Sequence, residues 1–159
     1  MTMEKGDRAP GFALPSAPGH EVDVGRLIGS ETVVLLFFPL AFSPTCTTEL
    51  CAFRDRWDEF SELDAHVFAI SVDSPFVTDL FRREENIPFP VLSDFNRDVA
   101  ERYGVLYDEL LGLEGVGKRS VFVIGREGRV VYRWVSDDPG VEPDYDVVRD
   151  AVRDAVHTG

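Results

Sequence analysis

The residues best suited to chemistry in this 159-residue sequence are its two cysteines, Cys46 and Cys51. They lie in the stretch Pro39-Leu40-Ala41-Phe42-Ser43-Pro44-Thr45-Cys46-Thr47-Thr48-Glu49-Leu50-Cys51. Ser43 before Pro44 is a helix start, with Ser at the N-cap and Pro at the first helical position. Cys46 then falls inside the first turn. Backbone N–H groups there lack intrahelical partners and the helix dipole is positive, and both effects favour a thiolate over a thiol. A thiolate so placed is a nucleophile. A second reading of the same position is a small core residue, because Cys46, Leu50, Phe53, Trp57 and Phe60 recur along one helical face.

Cys51 follows five residues later. In a helix this is ~140° around and about 7.5 Å along the axis, which separates the Cα atoms by roughly 8–9 Å. A disulfide needs about 7 Å or less. The two cysteines therefore bond only if the first turns of the helix unwind. Cys51 is either a redox partner that needs this unwinding or a buried spectator. A spacing of four residues between the cysteines does not match a Cys-x-x-Cys reductase.

Composition narrows the possibilities. Lys plus Arg is 16 and Asp plus Glu is 29, a net charge of -13, which repels phosphate backbones and anionic lipid. Nucleic-acid and membrane-surface roles are thereby disfavoured. Two cysteines are too few for a disulfide-stapled scaffold. His20, His66 and His157 stand at no zinc-ligand spacing with them. The N-terminal residues carry no apolar signal segment, and the longest apolar run, around Val33 to Phe42, is far short of the ~20 residues of a spanning helix. The expectation is a soluble, cytoplasmic protein without metal or organic cofactor. Arg far outnumbers Lys, a balance that fits either a salt-rich cytoplasm or an acidic protein from a GC-rich genome.

The elements that must position the cysteines read as α/β. Phe12-Ala13-Leu14 is a short strand closed by a turn from Pro15 to Gly19. Thr32 to Phe38 is apolar without alternation, a strand buried on both faces and ended by Pro39. His66 to Val72 is a second central strand. Ser74-Pro75 opens a helix to about Glu85. Val91-Leu92 is a short strand, and Asn96 to Tyr103 a helix stopped by Gly104. Arg119 to Ile124 and Arg129 to Trp134 form a hairpin across Gly125-Arg126-Glu127-Gly128. Asp144 to Val156 is a closing amphipathic helix. Asp73 and Asp94 follow strands and read as helix caps. The order predicts one domain over residues 1–159, a mixed sheet with helices on both faces, as in thioredoxin-like folds.

The cysteine stretch resembles the active-site motif of the peroxiredoxins, the cysteine thiol peroxidases. The family pattern is Pro, three residues, Thr or Ser, two residues, Cys, matched by Pro39, Ser43 and Cys46. A Glu three residues after the cysteine is matched by Glu49, and an Arg opening a late strand by Arg119. The likeness runs from Gly6-Asp7-Arg8-Ala9-Pro10-Gly11-Phe12 to the hairpin. Phe37 to Phe42 is similar to the AhpE-type enzymes, and a second cysteine five positions on is similar to the bacterioferritin-comigratory (Q-type) enzymes. Ser43 departs from the commoner Thr and loses the methyl that restricts the rotamer.

The resemblance implies reduction of hydrogen peroxide or organic hydroperoxides. Cys46 would attack as the thiolate, with Arg119 and the helix end favouring that charge. Ser43 would hold the peroxide, Pro39 shield Cys46 from water, and Glu49 orient Arg119. Cys51 would resolve the resulting sulfenic acid as an intramolecular disulfide, reduced in turn by a thioredoxin-like dithiol. Each residue also has a plainer reading: Ser43 as N-cap, Pro39 as strand terminator, Glu49 as a first-turn acid, Arg119 on the surface. Rival functions are a one-cysteine cycle resolved by an external thiol, a redox-sensing thioredoxin-fold binding protein, and a disulfide reductase. The chain is expected as a monomer or homodimer.

Overall fold

A computed structural model describes residues 2–158, so the expected domain limits at 1 and 159 lie outside the described residues. The scaffold is a five-stranded mixed sheet. Its strands are β3 (Thr32–Phe37), β4 (Ala65–Ser71), β5 (Val91–Ser93), β6 (Ser120–Ile124) and β7 (Val130–Val135), in spatial order β5-β4-β3-β6-β7. The β3–β4 and β4–β5 pairs are parallel, and β3–β6 and β6–β7 antiparallel.

β3 sits in the middle because all six of its residues are apolar or β-branched and all are buried. Strand periodicity sends its residues alternately to two cores. Val34 and Leu36 face Leu50, Phe53, Phe60, Phe81, Val148 and Val152. These come from α1 (Pro44–Asp55), α2 (Trp57–Ser61), α3 (Pro75–Glu84) and α5 (Tyr145–Thr158). Val33, Leu35 and Phe37 face Val99, Ala100 and Tyr103 of α4 (Asp98–Tyr103), together with Phe12 from the N-terminal segment. Helices thus cover both faces, as the element order predicts.

The start of the chain differs from expectation. Pro15 is not in a turn: β1 (Ala13–Ala17) continues through it and pairs with β2 (His20–Asp23) in a separate two-stranded sheet. The reversal is at Pro18 and Gly19, where Gly19 has φ +78°. β2 escapes sequence reading because three of its four residues are exposed and carry no apolar pattern.

The apolar face of the cysteine helix continues as expected, but the helix itself does not. Arg56 leaves helical geometry with ψ 15° and separates α1 from α2. Its guanidinium is bound to Glu59 and to Asp146 of α5, and Arg149 of α5 also holds Glu59. A break at Arg56 turns Trp57 onto Phe89, ring centroids 5.4 Å apart.

Ser74 caps α3 through Val77 N–H, and Gly104 closes α4 in the left-handed region at φ +71°. The N-cap position of α4 is Arg97, whose side chain makes no cap bond. Asp94, 1% exposed, supplies the cap instead by accepting from Val99 N–H (3.2 Å) and Ala100 N–H (2.8 Å). Replacing it with Ala strands two buried donors. Asp94→Ala should lower unfolding stability by about 1–2 kcal/mol, read from the urea midpoint, with Asn recovering part of the loss. An unchanged midpoint would show that α4 does not depend on this cap.

Candidate active site

β3 ends at Phe37, and the chain runs through Phe38, whose N–H donates to Ile70 O, into the buried Pro39. Proline has no N–H to continue a sheet ladder, so the strand stops and the chain leaves the sheet. The following loop is held at two points. Asp73, just past β4, accepts from Ala41 N–H through Oδ2 at 2.7 Å, and the same oxygen accepts from Ser71 Oγ. Phe42 has φ +66°, a left-handed conformation that costs a bulky residue of order 1–3 kcal/mol. Its ring packs edge-on against Phe81 of α3 at 5.1 Å, although the side chain remains largely exposed. Asp73 is therefore not a helix cap, as its sequence position suggests, but the anchor of the loop that precedes Cys46.

Ser43 occupies the N-cap position of α1 and Pro44 follows it, as expected. The Ser43 side chain does not cap, however. Its hydroxyl donates backward to Leu40 O at 2.7 Å, because the turn places that carbonyl within reach. The first N–H groups of α1 are thus left unblocked by Ser43, and the positive end of the helix faces the space around Cys46.

Cys46 is 0% exposed and lies against the guanidinium of Arg119, with Nη2 donating to Sγ at 3.1 Å. Arg119 itself is 1% exposed and stands immediately before β6, not within it. Nη1 donates to Glu49 Oε1 at 2.7 Å, and Nε and Nη2 donate to Pro139 O at 3.0 and 2.8 Å. Four contacts fix the plane of the guanidinium, so a permanent cation is held against the sulfur. Burial works against the Arg119 charge, but Glu49 and Cys46 raise its proton affinity beyond that loss.

Glu49 is fully buried, and its Oε2 has no hydrogen-bond partner among the described residues. Burial raises its pKa from 4.5 to about 7, and the Arg119 charge offsets only part of the rise. One guanidinium is shared by two groups that can each become anionic.

The six residues expected at the site divide clearly. Cys46, Ser43, Pro39 and Arg119 line one cavity of about 210 Å³. Glu49 lies behind Arg119, in contact with it but not among the lining residues. Cys51 is elsewhere on α1, half-buried, with Sγ donating to Glu85 Oε2 at 3.4 Å. Both cysteines are free thiols and α1 is an unbroken helix through both. A larger cavity of about 440 Å³, next to Ser74, Phe76, Asp94 and Phe95, contains neither cysteine.

Sequence reasoning missed Leu110, Leu111 and Pro139, which line the cysteine cavity alongside Leu40, Thr45 and Gly140. Leu110 and Leu111 lie on a loop between α4 and β6 that carries no periodic signal, pinned by Leu110–Leu113 backbone bonds. Pro139 acts through its carbonyl, a group every residue possesses, so nothing in its side chain marks it. None of His20, His66 or His157 lines this cavity. Among the described residues no group of three or more His, Cys, Asp or Glu side chains is arranged to hold a metal ion, and no helix is long and apolar enough to cross a membrane.

A cysteine in the first turn of a helix, held against a buried Arg–Glu pair beside a mixed five-stranded sheet, defines a class of thiol enzymes. Residues 5–133 match the AhpC/TSA family, and the chain belongs to it as a peroxiredoxin, a thiol-dependent peroxidase. It is 38% identical over 136 residues to the putative peroxiredoxin bcp of Coxiella burnetii, covering 84% of this chain and 89% of that one. Peroxiredoxin Bcp of Bacillus subtilis is also 38% identical, over 84% of this chain and 86% of its own length. Among solved structures, peroxidoxin BcpB from Mycobacterium tuberculosis superposes with a TM-score of 0.82 at 33% identity, over 96% of this chain and 97% of that one. A peroxiredoxin-like protein from Aquifex aeolicus reaches a TM-score of 0.87 at 30% identity, over 98% and 90%.

The buried Glu49 generates a pH signature. Its folded-state pKa lies above the ordinary 4.5, so the folded chain binds this proton more tightly than the unfolded chain. The resulting contribution is complete below about pH 4.5 and is lost as pH rises through about 7. Glu49→Gln stays neutral throughout. The stability of the wild type relative to this variant should therefore fall between pH 4.5 and 7 by roughly 3 kcal/mol, measured by urea unfolding at several pH values. A pH-independent difference would mean that Glu49 is ionised across the whole window.

Proposed function

We propose that Cys46 is the nucleophile of this peroxidase and that hydrogen peroxide and organic hydroperoxides are its substrates. The observation that carries the reading is the buried contact between Arg119 Nη2 and Cys46 Sγ at the floor of a small cavity. The thiolate attacks one oxygen of the peroxide, the O–O bond breaks, and hydroxide or alkoxide departs. The product at Cys46 is a sulfenic acid.

Each neighbour has a role consistent with its geometry. Arg119 holds the thiolate charge and, with one of its five N–H groups outside the four contacts described, has a donor for a peroxide oxygen. The open amides at the start of α1 add donors on the same side. Ser43 directs its proton to Leu40 O, so its oxygen meets the peroxide as an acceptor of the substrate's O–H. Pro39 closes one wall and offers no competing N–H. Glu49 positions Arg119 and touches no substrate.

Cys51 serves as the resolving cysteine in this reading. After local unwinding of α1 its thiolate attacks the Cys46 sulfenic acid, hydroxide leaves, and a disulfide forms. A thioredoxin-like dithiol then restores both thiols by exchange. The place of Cys51 within an intact helix, bonded to Glu85, favours a second reading, in which an external thiol resolves Cys46 directly.

Stopped-flow Trp fluorescence tests these assignments, because Trp57 begins the helix just beyond α1. Cys46→Ser should abolish peroxide turnover; retained turnover would refute the nucleophile assignment. Arg119→Met should lower the second-order rate with peroxide by about 10²–10³. Cys51→Ser should still consume one equivalent of peroxide but lose turnover with a thioredoxin-type donor. Normal turnover of Cys51→Ser would select the external-thiol cycle instead. A protein that oxidises once and is not recycled by any dithiol would be a sensor.

A further inference from the structure

The contact that holds Cys51 in the reduced enzyme lies outside the cysteine cavity. Glu85 is the C-cap of α3, and its own N–H donates to Phe81 O at 3.0 Å. Phe81 is 0% exposed and packs against both Phe38 and Phe42. Glu85 is therefore set on a rigid support that also braces the loop before Cys46. From this support it grips α1 twice. Its Oε2 accepts from Cys51 Sγ at 3.4 Å, and its backbone carbonyl accepts from Arg54 Nη1 at 2.7 Å. Arg54 Nη1 is also 3.9 Å from Glu85 Oε2. Cys51 and Arg54 are three residues apart and share one side of α1.

We propose that Glu85 is a positioning residue for the resolution step, a clamp that holds Cys51 and keeps α1 wound until Cys46 has reacted. The inference rests on the reading of Cys51 as the resolving cysteine. The intact helix holds the two cysteines too far apart to bond, so resolution requires α1 to unwind. Unwinding past Cys51 breaks the Cys51–Glu85 bond and pulls on Arg54. The clamp opposes both the motion and the ionisation. Burial pushes the Cys51 thiol up, and the hydrogen bond and negative charge of Glu85 add to this. Among the charged groups around it, Arg54 pulls the other way and Asp55 acts with Glu85. Release from Glu85 removes a carboxylate from beside the sulfur at the moment a thiolate is needed.

The step balances without a further reagent. The Cys46–OH sulfur–oxygen bond breaks, the Cys46–Cys51 sulfur–sulfur bond forms, and the thiol proton leaves with the hydroxide as water. Glu85 takes no part in bond making, and the peroxide step at Cys46 does not involve it. A clamp of this kind sets how long the sulfenic acid survives, and so how exposed Cys46 is to a second peroxide.

The test is single-turnover kinetics of the full chain with hydrogen peroxide, in wild type, Glu85→Gln and Glu85→Ala. Trp57 fluorescence gives the two phases, and mass spectrometry of acid-quenched, alkylated samples identifies sulfenic acid and disulfide. The first, peroxide-dependent phase should be the same in all three proteins. Disulfide formation should be about five-fold faster in Glu85→Ala, the factor that loss of one ordinary hydrogen bond supplies. Glu85→Gln keeps the shape and an acceptor oxygen but removes the charge. Its resolution rate should rise at a lower pH than in wild type. Unchanged resolution in both variants would overturn the clamp, and slower resolution would show Glu85 acting instead as a proton acceptor. If wild type accumulates sulfenic acid and never forms the disulfide, the assignment of Cys51 fails and the clamp falls with it. That outcome is distinct because it appears before any variant is made.

Discussion

The structure of the site depends on one buried cation. Arg119 is almost wholly removed from water, and a guanidinium in that position must have its charge and its donors satisfied. Two parts of the chain supply three partners: Cys46 and Glu49 from α1, and the Pro139 carbonyl from the segment after β7. Each contact also defines where another group sits. The sulfur is placed against the cation, the helix is held by Glu49, and the Pro139 segment becomes a wall of the cavity. Removing Arg119 would leave Glu49 and Cys46 facing each other with no cation between them.

The same constraint explains how so acidic a protein keeps a cation against the Cys46 sulfur. A net charge of -13 lies mostly on the surface, where water and salt screen it. The cation next to Cys46 lies in a buried setting where charges act more strongly. The unblocked first turn of α1 adds to it. Local arrangement decides the chemistry, and the overall charge decides only which large partners are repelled.

A second layer of restraint surrounds this centre. The loop before Cys46 carries a strained Phe42, which persists because Asp73 holds Ala41 on one side and Phe81 holds the ring on the other. Phe81 in turn supports the end of α3, where Glu85 meets α1. The Cys46 loop and the Cys51 segment are thus braced by one helix.

Much of this was legible in the residues. Six apolar and β-branched residues in β3 can only be a strand buried on both faces, and they are. Ser43-Pro44 fixes where α1 starts, and hence the turn in which Cys46 falls. β2 was hidden because an exposed strand has no apolar alternation, and the break at Arg56 because its ion-pair partner on α5 lies 90 residues further on. Asp73 read as a cap, whereas its partner is a loop amide more than thirty residues earlier.

The sequence by itself determined the local facts: the class of fold, the helix that carries both cysteines, and a five-residue spacing that cannot bond in a helix. These follow from periodicity, capping and backbone geometry, which act over a few residues. Tertiary structure alone decided that Arg119 reaches Cys46 from 73 residues away, that a carbonyl at Pro139 orients it, and that Glu85 holds Cys51. Long-range pairing depends on how the sheet brings chain ends together, and backbone groups carry no residue-specific mark. No local pattern encodes either one.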